Sequence, residues 1–185
     1  MLERGQHLSR REEPMSALEQ SFRFAGFALA HAAWIASDQL PGELICPIAI
    51  ITKGDERKVI PFEADTQIDA INAGKGSFED LKHTVDSWAL VREGYYSVAD
   101  GSPSRRDVLA VSSWVKGLDE PVLLQQLFSP TSKGRFRLIG GLILTVHGVQ
   151  LQKDAYDRMS AFVIQGIHQH PHGQRWTEWS IGAIQ

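Results

Sequence analysis

Three of the chain's seven histidines, His168, His170 and His172, fall within the stretch HQHPH near the C-terminus. Alternate residues of an extended chain share a face, so this spacing lets three imidazoles converge. Pro171 biases the residues before it towards an extended form. On a helix the same three would point apart. Three neutral imidazoles with one open position form a ligand set for zinc, and the chemistry would be metal-assisted hydrolysis. Two features argue against that use. The triple follows the last expected helix, where chains fray. No acid able to orient the ligands appears before Glu178. Residues 168–185 are therefore expected to be a tail segment anchored by Trp176 and Trp179. No cofactor is expected, with zinc at these histidines as the alternative.

Other chemistry-bearing residues invite a functional and a plainer reading. His31 lies in an apolar run with Arg23 before it and Asp38 after it. It would serve as a desolvated proton carrier or, as preferred here, a buried histidine bonded to a carbonyl or carboxylate. Cys46, in LICPIAI, would need His31 or His83 as a base to act as a nucleophile. Its setting reads instead as the start of a buried strand. Glu63, Asp65 and Asp69 would suit a divalent cation, but first-turn carboxylates also complement a helix dipole. Lys133, Arg135 and Arg137 alternate around Phe136, which on one strand gives a cationic face of the kind single-stranded nucleic acid uses. A charged sheet edge explains them equally well.

Several common constellations are missing. INAGKGS lacks the first glycine of a phosphate loop and the hydroxyl after its lysine, and Glu79 stands where a dinucleotide fingerprint needs its third glycine. No G-x-S-x-G and no H-E-x-x-H occurs. A single cysteine excludes an intramolecular disulfide and a four-cysteine zinc site. The formal net charge of −3 makes nucleic acid an unfavoured partner. The longest apolar stretch, residues 24–36, is too short for a bilayer, so no membrane role is expected. With no secretory leader in the polar N-terminus, a cytoplasmic location is expected.

The elements that must position these residues follow from periodicity. At 185 residues and 43% hydrophobic, the chain suits one domain. Residues 1–13 read as a polar arm, with Met15 as an alternative start, and 14–185 as the domain. A helix is expected from Met15 to about Gln39. Its apolar residues run nearly all the way round, so it is either the central core helix or part of a subunit interface. ELICPIAIITKGDERKVIPFEAD reads as a hairpin with a four-residue loop, its second strand an edge because of Pro61. Thr66 and Ser77 mark two short helices separated by Gly74 and Gly76. Strands follow at WALVREGYYSV, RDVLAVSSWVKG, PVLLQQLF and RFRLIGGLILTV, the last with a bulge at Gly140-Gly141. A helix from about Gln152 to Ile167 closes the domain.

The expected fold is α+β: an antiparallel sheet of about five or six strands, hairpin plus meander, with a long N-terminal helix, two short helices and a C-terminal helix packed on it. The apolar first helix and the tryptophan-bearing tail point to Phe27, Trp34, Trp176 and Trp179 as interface residues. The expected role is a homodimeric binding or accessory module acting through protein–protein contacts, with enzymatic activity not indicated. A metal-assisted hydrolase and a weak nucleic-acid binder are the alternatives.

Overall fold

The computed structural model describes residues 14–97 and 105–180. The polar arm, most of the turn-rich loop after residue 98, and residues 181–185 lie outside the described residues. The described chain is α+β, with a seven-stranded antiparallel sheet and four α-helices.

Helix α1 runs from Ala17 to Asp38. Its start is set by a capping box: the Ser16 hydroxyl accepts from the Glu19 N–H, and the Glu19 carboxylate accepts from the Ser16 N–H. Strands β1 (Ile48–Lys53) and β2 (Glu56–Pro61) form the expected hairpin, joined by a two-residue turn rather than a four-residue loop. Gly54 sits at φ +56°, the left-handed region glycine enters freely, and Asp86 accepts its N–H at 2.7 Å.

Where two short helices were expected there is one, α2, from Gln67 to Leu81. The reason is that Gly74 meets a neighbour instead of breaking the helix. A Cβ there would stand 2.5 Å from Leu90 Cδ1 and 3.3 Å from Phe62 Cδ2. Ser77 does not cap a second helix. Its hydroxyl donates back to the Gly74 carbonyl and accepts from the indole N–H of Trp88.

The meander then follows: β3 (Ser87–Ser97), β4 (Arg105–Val115), β5 (Val122–Ser129), β6 (Arg137–Val146) and the two-residue β7 (Val149–Gln150). The order is β2-β1-β3-β4-β5-β6-β7, which puts β2 at an edge, as Pro61 implied. PVLLQQLF is strand, as read from its flanking prolines. The pairing slips between Gln125 and Leu127, where β6 spends residues 140–142 opposite Gln126 alone. Gln126 is buried, and its amide donates to the carbonyls of Leu127 and Ile139 at this irregularity.

Helix α3 (Lys153–Gln169) packs across α1, and together they close one face of the sheet. The crossing is glycine to backbone. A Cβ on Gly26 would lie 2.0 Å from the Val163 carbonyl oxygen, and one on Gly166 would lie 1.8 Å from that of Arg23. Arg158 of α3 also donates to the Glu19 carboxylate, at 3.0 Å from Nε. Sandwiched between sheet and α3, α1 needs apolar residues on nearly every side. Ser21 and Ser113 are its polar tie to β4, each hydroxyl donating to the other's carbonyl at 2.9 and 3.0 Å.

Helix α2 covers only part of the opposite, outer face. Its cluster holds Phe78, Trp88, Leu90 and Trp114. No helix of the described residues is long and apolar enough to cross a membrane.

Candidate functional site

The C-terminal histidines do not form an extended strip. His168 is exposed in the last turn of α3, where a basic group complements the helix dipole. His170 is the buried C-cap of that helix, and His172 lies half-buried in the turn leading to α4 (Arg175–Ser180). His170, directly before Pro171, is extended as expected, but α3 runs through His168 and Gln169, so His168 is separated from the other two. Nor is 168–180 a loose tail. Trp179 is 4% exposed within the main core, edge-on to Phe136, and Trp176 packs beside it.

In place of His168, the fold brings in His31 from α1. Its Nδ1 lies 3.0 Å from Nε2 of His170. The tautomers follow from the main chain. The His172 backbone N–H donates to Nδ1 of His170 at 3.1 Å, so that nitrogen is an acceptor without a proton. Neutral His170 therefore carries its proton on Nε2 and donates it to His31. Neutral His31 in turn keeps its proton on Nε2. Both nitrogens facing the pair are thus engaged, and neither directs a free lone pair towards a metal. Among the described residues no group of three or more His, Cys, Asp or Glu is placed to hold a metal ion.

Burial, reinforced by the crowding of like groups, keeps the two rings neutral. Desolvation pushes His170 down to about 4, with His31, His172 and Arg57 adding repulsion against its charged form. Desolvation and then His172 lower His31 in the same way. Aromatic rings complete the wall. Trp34 stacks on His172 at 4.6 Å, Phe27 meets His170 edge-on at 5.0 Å, and the Arg57 guanidinium lies 3.8 Å over the Phe27 ring. His31 thus finds an imidazole partner, where a carbonyl or carboxylate was expected.

The remaining candidates are placed as follows. Cys46 is exposed in the segment before β1 rather than inside a strand, and its thiol contacts the carbonyls of Pro47 and Phe62, not a histidine. Glu63, Asp65 and Asp69 are exposed at the start of α2, where Thr66 caps the helix and donates to Asp69. Lys133 belongs to a single 3-10 turn (Thr131–Lys133), Arg135 to the coil after it and Arg137 to β6, so the three do not share a strand face. Phe136, the aromatic of that stretch, is core.

Of the expected interface residues, Phe27 at 6% and Trp179 at 4% exposure are covered by their own chain. Trp34 and Trp176 keep exposed area. A broader partly open apolar surface lies on the outer face of β5 and β6. There Leu123, Leu127, Ile139 and Ile143 project opposite the helix-covered side and are only half-buried. Arg92 and Ser112, hydrogen-bonded at 3.2 Å, border them on β3 and β4. In β5 the buried positions are Val122, Leu124, Gln126 and Phe128, and the alternate set mixes Leu123 and Leu127 with Gln125 and Ser129, so periodicity alone did not mark this surface.

Comparison with family models, with curated proteins and with solved structures finds no match to this chain.

Proposed function

We propose that the protein is a small cytoplasmic homodimer that serves as a binding or accessory module through protein–protein contacts. The observation that carries this reading is the outer face of β5 and β6, where Leu123, Leu127, Ile139 and Ile143 line one side of the sheet beyond the reach of α2. Leucine and isoleucine repeated on one sheet face gain from leaving water, and a second sheet or a partner helix provides the cover. Trp34 on α1 and Trp176 on α4 also keep partly exposed area.

Native mass spectrometry and sedimentation on untagged full-length protein test the proposal. The expected result is a dimer that Leu127→Lys converts to a folded monomer. A wild-type monomer at all micromolar concentrations, with no protein co-purifying, would overturn it.

A further inference from the structure

The end of α1 leaves a cavity of about 250 Å³ over the helix-covered side of β3, β4 and β5. Ala36 and Phe128 form its apolar wall, and Glu93, Asp107 and Lys133 bring charge to it. We propose that this cavity is a binding site for a small organic cation, a primary ammonium carried on a short apolar body, and that the ammonium of Lys133 occupies the place of the ligand's charge when the site is empty.

Three independent features support this. First, Glu93 is 8% exposed yet lines the cavity. Its Oε2 accepts the Ile45 N–H at 3.2 Å, while its Oε1 has no hydrogen-bond donor among the described residues. Burial, and to a lesser degree the nearby Asp107, raise the Glu93 carboxyl above the ordinary range against the pull of that N–H. A cation beside it would relieve both effects.

Second, the surrounding field is negative. Glu43 and Asp107 also line the cavity, and the C-terminal end of α1 points its carbonyl dipoles there. One such carbonyl, of Gln39, is taken by the Thr131 hydroxyl at 3.0 Å.

Third, the one ammonium present is held by a displaceable arm. Lys133 Nζ lies 2.6 Å from Asp107 Oδ2, but the lysine side chain is 61% exposed and the aspartate 12%. Asp107 is fixed on β4, whereas Lys133 is in a single 3-10 turn. An ion pair with one solvated partner is weak, so an incoming ammonium with apolar atoms to bury can replace it. Tyr95 at the mouth is partly engaged, since Arg105 lies 5.9 Å over its ring, and recognition therefore falls on Asp107 and Glu93. The volume lies below the range usual for drug-sized ligands, about 300–1,000 Å³, which limits the ligand to a small metabolite-like amine.

The site lies on the opposite side of the sheet from the proposed dimer surface and does not depend on it. The test is a titration of the full-length protein with n-butylammonium, followed by amide shifts in two-dimensional NMR, with 1-butanol as the neutral control. Saturable shifts are expected around Glu93, Asp107 and Thr131 with the ammonium only. Lys133→Met, which keeps the stem and removes the competing charge, should tighten binding about tenfold. Asp107→Asn should weaken it by at least as much. Because the lysine variant is expected to gain affinity, misfolding cannot mimic the positive result. No saturable shift in either the wild type or Lys133→Met overturns the proposal, as does butanol binding equal to that of the ammonium.

Discussion

On one face of the sheet Leu109, Val111, Leu124 and Leu144 are sealed under α1 and α3. On the other, Leu123, Leu127, Ile139 and Ile143 project from the same or adjoining strands and stay half-open. The open face is the more polar, since Gln125, Ser129, Arg137 and Thr145 share it, and it also differs in its cover. The closed face has two helices whose backbones touch through Gly26 and Gly166. The open face has α2 alone, held by Gly74 against Leu90, and α2 ends its packing at Trp114. Apolar strands thus identify a sheet that wants covering on both sides, and the helices decide how much of that cover one chain supplies.

The largest effect expected from this contrast is at the helix crossing. Gly166→Ala puts a methyl group against the Arg23 carbonyl, which is backbone and cannot rotate away. Helix propensity alone would favour alanine by up to about 1 kcal/mol. Overpacking should outweigh it and destabilise the protein by about 3 kcal/mol. Urea unfolding measures the difference, and an unchanged midpoint would mean that α1 and α3 do not cross this closely. Leu124→Ala on the closed face follows, at about 3 kcal/mol, because a fully buried leucine leaves a cavity.

Much of this frame is legible in the residues, and the gaps have specific causes. Hydrophobic period and flanking prolines point to six of the seven strands, the edge position of β2 and both long helices, because each depends on residues close in sequence. Strand β7, at two residues, is too short to show a period. The all-round apolar α1 is explained by α3 on one side and the sheet on the other. Gly74 and Gly76 misled because a glycine that breaks a helix and one that lets a helix approach a leucine look alike in sequence. The histidine cluster that forms has a different membership from the triple that the H-x-H-x-H spacing suggests. His31 and His170 are 139 residues apart, and nothing local signals their pairing. His168, two residues away, was lost because α3 continues through it. The cavity by Glu93 had no signature at all, since β3, β4 and the turn at Lys133 contribute one charged group each.

The histidine pair tests the closed face through pH. Both rings are held below the usual histidine value in the folded protein, His170 at about 4. As pH falls from about 6.5 towards 4, the unfolded chain binds protons that the folded one refuses, so stability falls with pH in that window. The loss should reach about 2 kcal/mol, discounted because His172 and Trp34 border solvent. Glu19, lowered first by its backbone bond to Ser16 and next by Arg158, loses its contribution only below about 4.5, so it meets the histidine window at its acid end but not between pH 7 and 5. Denaturant midpoints for the wild type and His170→Gln between pH 7 and 5 measure the effect. The variant should show the flatter profile, and parallel profiles would mean that the imidazole pair carries no pH dependence.

The smallest expected loss is on the open face, and it is also the most discriminating. Leu127 is half-buried in the single chain, so Leu127→Ala should cost the isolated protomer about 1 kcal/mol. If a second chain covers that face, folding and association are linked, and the wild-type Tm must rise with protein concentration. The variant should lose that rise while keeping most of its stability at low concentration. A wild-type Tm independent of concentration would instead leave Leu127 as an ordinary half-buried surface leucine. A loss near that of Leu124→Ala at every concentration would mean that the chain itself seals both faces. The two leucines lie three residues apart on one strand and point to opposite sides, so comparing them isolates the cover from the strand.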